Sequence, residues 1–173
     1  STLFAGTFHS LCYRILLRSL SLLPDTGRVD GWSIYDADAS LAVIYKLVRS
    51  VHTEWKSKEA RDYAKALQSR ISRVKNGVNR YQGVNPIEVV YGYYRTAITG
   101  NSTNMTPAQK ASAEDLAEWF EMYENAMRAA NALDFDDLLG FTTAVLRHDA
   151  ELRERLQRRW RHILVDEFQD TNS

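Results

Sequence analysis

The sequence predicts a predominantly α-helical chain with a small, incomplete α/β remnant contributed by its two termini. Three observations predict it. Apolar residues through the middle recur at helical spacing. Two capping patterns with a first-turn proline mark helix starts, at 85–88 and 106–109. Short apolar stretches near both ends, within residues 2–6 and 162–166, read as strands that want cover on both faces, the habit of a parallel sheet.

The elements follow in order. Leu3-Phe4-Ala5 enters Gly6-Thr7-Phe8-His9-Ser10, and Leu11 to Leu20 continues as a helix. Leu41, Ile44, Tyr45, Leu47, Val48, Val51 and Trp55 mark a second helix. Tyr63, Ala64, Leu67, Ile71 and Val74 mark a third, with Lys65, Arg70 and Arg73 available to its polar side and Gly77 as its stop. Asn85-Pro86-Ile87-Glu88 launches a helix through Val90, Tyr94 and Ile98. Thr106-Pro107-Ala108-Gln109 launches a longer one through Leu116, Trp119, Phe120, Tyr123, Met127 and Ala130. The polar run 99–104 connects them. Asp134, Asp136 and Asp137 suggest a metal cluster at first sight, but Asp134 can cap a helix through Leu138, Leu139 and Phe141, with acids favourable in its first turn. Packing is the preferred role for that stretch. A basic helix over 151–161 then runs into His162-Ile163-Leu164-Val165 and stops at Asp166-Glu167.

Composition excludes several classes. With 173 residues, 45% hydrophobic and 25% charged, the chain can bury a real core. A single cysteine, Cys12, excludes an internal disulfide scaffold and a thiolate-rich zinc site. No apolar run approaches a membrane span, and residues 1–6 lack the pattern of a secretory leader. Twenty-two basic and 22 acidic side chains cancel, yet they are segregated. Residues 46–80 hold ten Lys or Arg against three acids, a local excess of +7, whereas 101–140 hold two against eight, or −6. The basic block fits a phosphate-binding surface or a solvated face that pairs with the acidic block, and local sequence leaves both open. Trp32, Trp55, Trp119 and Trp160 sit in patterns that core packing satisfies as well as base stacking does.

Asp166-Glu167 is the sharpest chemical signal. A strand aims its last side chains into the crevice at the carboxyl end of a sheet, where α/β proteins bind ligands. An Asp there can hold magnesium, and a neighbouring Glu can orient or deprotonate water beside a nucleotide phosphate. Capping of a following helix is the competing role. None of the eight glycines lies in a phosphate-cradling loop ending in Lys-Ser or Lys-Thr. The chain can therefore contribute to a nucleotide site without forming one.

Three segments carry a family resemblance. Gly6-Thr7-Phe8-His9-Ser10-Leu11 with Arg14-Ile15-Leu16, then Asn131-Ala132-Leu133-Asp134-Phe135-Asp136-Asp137-Leu138-Leu139, then Ile163-Leu164-Val165-Asp166-Glu167-Phe168-Gln169-Asp170-Thr171-Asn172 are similar, in this order, to motifs of UvrD/Rep/PcrA-type superfamily 1 DNA helicases. The last resembles their Walker B-like motif. A weaker match is Ser69-Arg70-Ile71-Ser72-Arg73-Val74-Lys75-Asn76.

The resemblance implies a fragment of a RecA-like motor. It divides the chain into an outgoing segment of motor domain 1A over 1–20, a helical 1B accessory domain over 21–130 and a return into 1A over 131–173. The family couples ATP hydrolysis, with Mg2+, to movement on single-stranded DNA, typically 3′ to 5′. Asp166 is implied as the metal-organising acid, Glu167 as the water-activating base and Gln169 as a nucleotide-coupling residue. Thr7 and His9 are implied to lie near the single strand, although by spacing alone the favoured role for His9 is to cap the helix entering at Ser10. Lys65, Arg70, Arg73 and Lys75 are expected on a 1B surface touching single-strand or duplex phosphates without sequence preference. A subunit of an ATP-dependent nuclease and a non-catalytic DNA-binding or inter-domain module are the alternatives. The expected partners are single-stranded or forked DNA and the parent's remaining motor domains, with no membrane, in a nucleoid, nucleus or organelle, or the cytoplasm of a prokaryote. ATP and Mg2+ are expected to act in the parent, with tight binding to this fragment not expected, and any fragment dimer is expected to reflect truncation.

Overall fold

A computed structural model describes residues 4–23, 26–77 and 107–166. Helix α1, Phe8–Leu16, begins where Thr7 Oγ1 accepts from the Ser10 amide at 3.2 Å. A short 3-10 turn, Leu20–Leu22, leads towards strand β1, Ser33–Tyr35. Helix α2, Ala37–Val51, is capped by Asp36, whose Oδ1 accepts from the Ala39 amide at 2.8 Å. Helix α3 spans Ser57–Gly77 and ends at the glycine expected to stop it. Helix α4, Pro107–Ala129, begins at its first-turn proline. The helix expected from 85–88 lies outside the described residues.

Strand β2, Ala132–Asp134, feeds directly into helix α5, Phe135–His148. Asp149 closes α5 and opens helix α6, Ala150–Arg159: its amide donates to Val145 O at 2.8 Å and its Oδ1 accepts from Leu152 N at 2.9 Å. Strands β1 and β2 pair in parallel, with Ser33 opposite Ala132 and Tyr35 opposite Asp134. Parallel neighbours need a long crossover, and here it runs through α2, α3 and α4.

The mostly helical class with a small parallel remnant is what the sequence predicts, but the remnant is not formed by the termini. Both strands lie inside the chain. Residues 162–165 form no strand, and Leu164 is 97% exposed. An apolar run becomes a strand only where a neighbour offers a hydrogen-bonding edge. Among the described residues, 162–165 have none.

One core runs from Cys12 to Leu152 and joins α1 through α6. Its largest buried side chains include Leu16, Ile44, Tyr123, Met127 and Phe141. Helix α3 faces this core with Ala60, Ala64, Leu67 and Ile71, and α1 packs along α5. Trp119 is buried, Trp55 stacks on His52 at 3.8 Å, and Tyr13 meets Trp32 edge to face. These contacts are packing contacts. Among the described residues, no helix is long and apolar enough to cross a membrane.

Candidate nucleic-acid interface

The start of α1 is held from both sides of its first turn. Thr7 caps it, and Ser10 Oγ donates back to the Thr7 carbonyl at 2.8 Å. Gly6 makes the approach possible, since a Cβ there would stand 2.6 Å from Ser10 Oγ and 2.9 Å from the Phe4 ring. Held this way, His9 sits half-buried with its ring centroid 5.4 Å from that of Phe135, the two planes inclined at 60°. Phe135 is the first residue of α5 and is 44% exposed. Residues more than a hundred positions apart thus form one partly exposed aromatic face, beside the exposed Thr7.

A cleft of about 530 Å³, lined in part by Phe135, has Tyr35, Gln68, Arg73, Asn76 and Asp136 on its walls. Arg73 and Lys65 are exposed on α3, and Arg70 is half-buried there. They can present cations to a phosphate backbone.

Lys75 cannot join them. Its ammonium is fully buried, with Nζ 2.7 Å from Glu124 Oε1, Asp134 Oδ2 and Asp137 Oδ1. The expectation of a DNA contact by Lys75 is corrected: it faces inward and its three partners occupy it. Burial opposes its charge, but the carboxylates of Asp134, Asp137 and Glu124 override that penalty and hold it protonated well above the ordinary lysine range. The same ammonium lowers Asp134 against the cost of its burial. Burial and then the Asp134 charge push Asp137 upward, so one ammonium is divided between two competing acids. Arg28 adds a second buried cation, 3.6 Å from Glu124 Oε2, and its Nε donates to Ala132 O at 3.1 Å.

The three aspartates therefore have structural partners rather than a metal. Asp134 and Asp137 form a reciprocal capping box: Asp134 Oδ1 accepts from the Asp137 amide at 2.8 Å, and Asp137 Oδ2 from the Asp134 amide at 3.1 Å. Asp136 accepts from Asn76 Nδ2 at 3.0 Å. Among the described residues, no group of three potential ligands could hold a metal ion. Asp166 is exposed at the end of the apolar run, and Glu167 and Gln169 lie outside the described residues. A single accessible carboxylate suits magnesium, which takes one or two carboxylates and fills its shell with water and phosphate oxygens.

Sequence reasoning missed Phe135 and Asn76. The signal for Phe135 was an apolar residue set among three acids at a helix start, where the core does not reach. The signal for Lys75 was its place on the buried stripe 60-64-67-71, which continues by four to 75.

The model of the UvrD/REP helicase N-terminal domain matches residues 1–173. The ATP-dependent DNA helicase UvrD1 of Mycobacterium bovis is 36% identical over 170 residues, covering 98% of this chain and 19% of the relative. UvrD1 of Mycobacterium leprae is 33% identical over 99% of the chain and 19% of its own length. The ATP-dependent DNA helicase Rep of Escherichia coli is 28% identical over 99% of the chain and 21% of its own length. The chain spans about a fifth of the length of these curated relatives. No solved structure gives a significant match.

Proposed function

Since this chain belongs to the UvrD/REP helicase N-terminal domain family, we propose that it is the single-strand-gripping part of an ATP-dependent DNA translocase. The motor moves 3′ to 5′ and separates the strands of a fork. The observation that carries this reading is the His9–Phe135 face, with ring centroids 5.4 Å apart, beside the capped Thr7 and the cleft edged by Arg73. Exposed aromatic faces stack on any base, and flanking cations hold any backbone. Such a face grips a strand without reading it, as a translocase must.

In this reading residues 1–20 and 131–173 belong to motor domain 1A and 21–130 to the accessory domain 1B. Thr7 and Ser10 fix the first turn of α1, so the His9 ring keeps its place when a base arrives. Phe135 offers a stacking surface, while Lys65, Arg70 and Arg73 attract phosphates. Asp166 would hold Mg2+, which when bound with ATP supplies charge neutralisation at the phosphates. Glu167 orients the attacking water and accepts its proton, and Gln169 couples nucleotide state to the strand-binding face.

Anisotropy of labelled single-stranded and forked DNA, titrated at several salt concentrations, tests the reading. Phe135→Ala and His9→Ala are each expected to weaken single-strand binding by about 10-fold, the usual worth of a stacked base. Wild-type affinity in both folded variants would refute the face.

A further inference from the structure

The four residues 134–137 open helix α5, and α3 grips three of them. Lys75 Nζ holds Asp134 and Asp137 at 2.7 Å each. Asn76 Nδ2 holds Asp136 at 3.0 Å and is itself anchored on the Ser72 carbonyl at 3.0 Å. The fourth residue is Phe135, whose partly exposed ring meets His9. A helix start needs none of this, because the capping box between Asp134 and Asp137 already satisfies both backbone amides. The added amide and ammonium fix something else: the placement of the turn that carries the exposed ring.

We propose that the last turn of α3, through Lys75 and Asn76, is a positioning clamp that sets the Phe135 ring against His9 for single-stranded DNA. The proposal rests on the DNA-binding reading above. It also joins two parts of that reading, because α3 is the helix that carries Lys65, Arg70 and Arg73. Phosphates held along the helix and a base held by Phe135 are then fixed relative to one another through two consecutive residues. Neither clamp residue touches DNA. Lys75 is fully buried, and the Asn76 amide nitrogen is spent on Ser72 and Asp136.

The full-length chain, with labelled oligo(dT) followed by anisotropy across a salt series, provides the test. Lys75 variants risk unfolding, so the deciding substitutions are Asn76→Ala and Asn76→Asp, the second setting a carboxylate against Asp136. Asn76→Ala is expected to weaken binding about 3- to 10-fold, and Asn76→Asp more, with the slope of affinity against salt unchanged because no phosphate contact is removed. Adding Asn76→Ala to Phe135→Ala is expected to cost no more than Phe135→Ala alone, since coupled residues are not additive. A merely structural role would lower the melting temperature and leave the affinity of the folded protein alone. Wild-type affinity in folded Asn76→Ala and Asn76→Asp, or full additivity with Phe135→Ala, overturns the clamp while the DNA face stands. Wild-type affinity in Phe135→Ala overturns the clamp, and wild-type affinity in His9→Ala as well overturns the face with it.

Discussion

Lys75 Nζ lies 2.7 Å from Asp134 Oδ2, although 59 residues separate them in the chain. Glu124 on α4 and Asp137 on α5 reach the same nitrogen, so a single ammonium on α3 pins β2, α4 and α5. Removing it leaves Asp134 and Asp137 buried without the ammonium they share, while Glu124 keeps Arg28. Lys75→Met is therefore expected to cost about 3–5 kcal/mol, the scale for breaking a buried ion pair from one side. Lys65→Met on the exposed face of the same helix should stay within about 0.5 kcal/mol. Urea denaturation of the two variants makes the comparison, and equal losses would deny the pin.

The same burial fixes the response to alkali. Lys75 is raised above its unfolded value, because the carboxylates outweigh the burial that opposes its charge. Its contribution to stability is complete below the unfolded lysine value of about 10.4 and drains away as pH climbs through the higher folded one. Lys75 should resist acetylation by acetic anhydride at about pH 9 in the folded protein, while the exposed Lys65 reacts. Peptide mapping by mass spectrometry reads both sites. Equal modification before unfolding would mean that the ammonium is accessible.

Phosphate contacts have a different signature from stacking. If Arg73 and Lys65 each meet a backbone phosphate, replacing either by Gln should lower the slope of log affinity against log salt by about 0.7, the value for a single strand. The loss should be the same for every sequence tested. Phe135→Ala should weaken binding with the slope intact. An unchanged slope in Arg73→Gln would move the phosphate path elsewhere.

Backbone geometry offers a test independent of DNA. Asn131 adopts φ 47°, in the left-handed region, at the turn that delivers α4 into β2. Its Oδ1 accepts from Val29 N at 2.9 Å and its Nδ2 donates to Val29 O at 3.2 Å, tying the approach to β1 against the entry to β2. Asn131→Ala loses both bonds and keeps the strained backbone, a cost of about 2–3 kcal/mol. Asn131→Gly loses the bonds but relaxes the backbone, for about 1 kcal/mol. Thermal unfolding should rank wild type above Gly above Ala; Ala at or above Gly would contradict it.

Much of this was legible because it is local. The stripe Ala64, Leu67, Ile71 needs only helical period to be read, and Asp134 with Asp137 three residues on announces its own capping box. The strands were not legible. Ser33–Tyr35 is three residues long and pairs with a segment about a hundred positions away, so only the tertiary fold makes it a strand. Conversely, Ile163 and Leu164 have strand-like character without a partner among the described residues. Lys75 misled because a cation in a basic block is read with its neighbours in sequence, whereas its charge is decided by Glu124, Asp134 and Asp137. The Phe135–His9 contact is invisible to spacing for the same reason.

Catalysis separates the carboxylates from the rest of the machine. In the proposed reading Asp166 and Glu167 would carry the chemistry of an ATPase, but none of the chain's eight glycines lies in a sequence pattern that would cradle the phosphates. Phosphoryl transfer depends on positioning and charge stabilisation, so acids without a phosphate cradle have nothing to act on. The 173-residue chain alone should show negligible steady-state ATP hydrolysis, with or without single-stranded DNA. A longer protein that contains this chain together with a phosphate-binding loop should hydrolyse ATP if the proposed reading holds, and Glu167→Gln in it should lower turnover by roughly 10²–10⁴-fold, the range for a lost general base, while leaving single-strand affinity intact. A coupled-enzyme assay on both proteins decides it. Turnover by the short chain that Glu167→Gln abolishes would show that the phosphates are held by residues other than a glycine-rich loop.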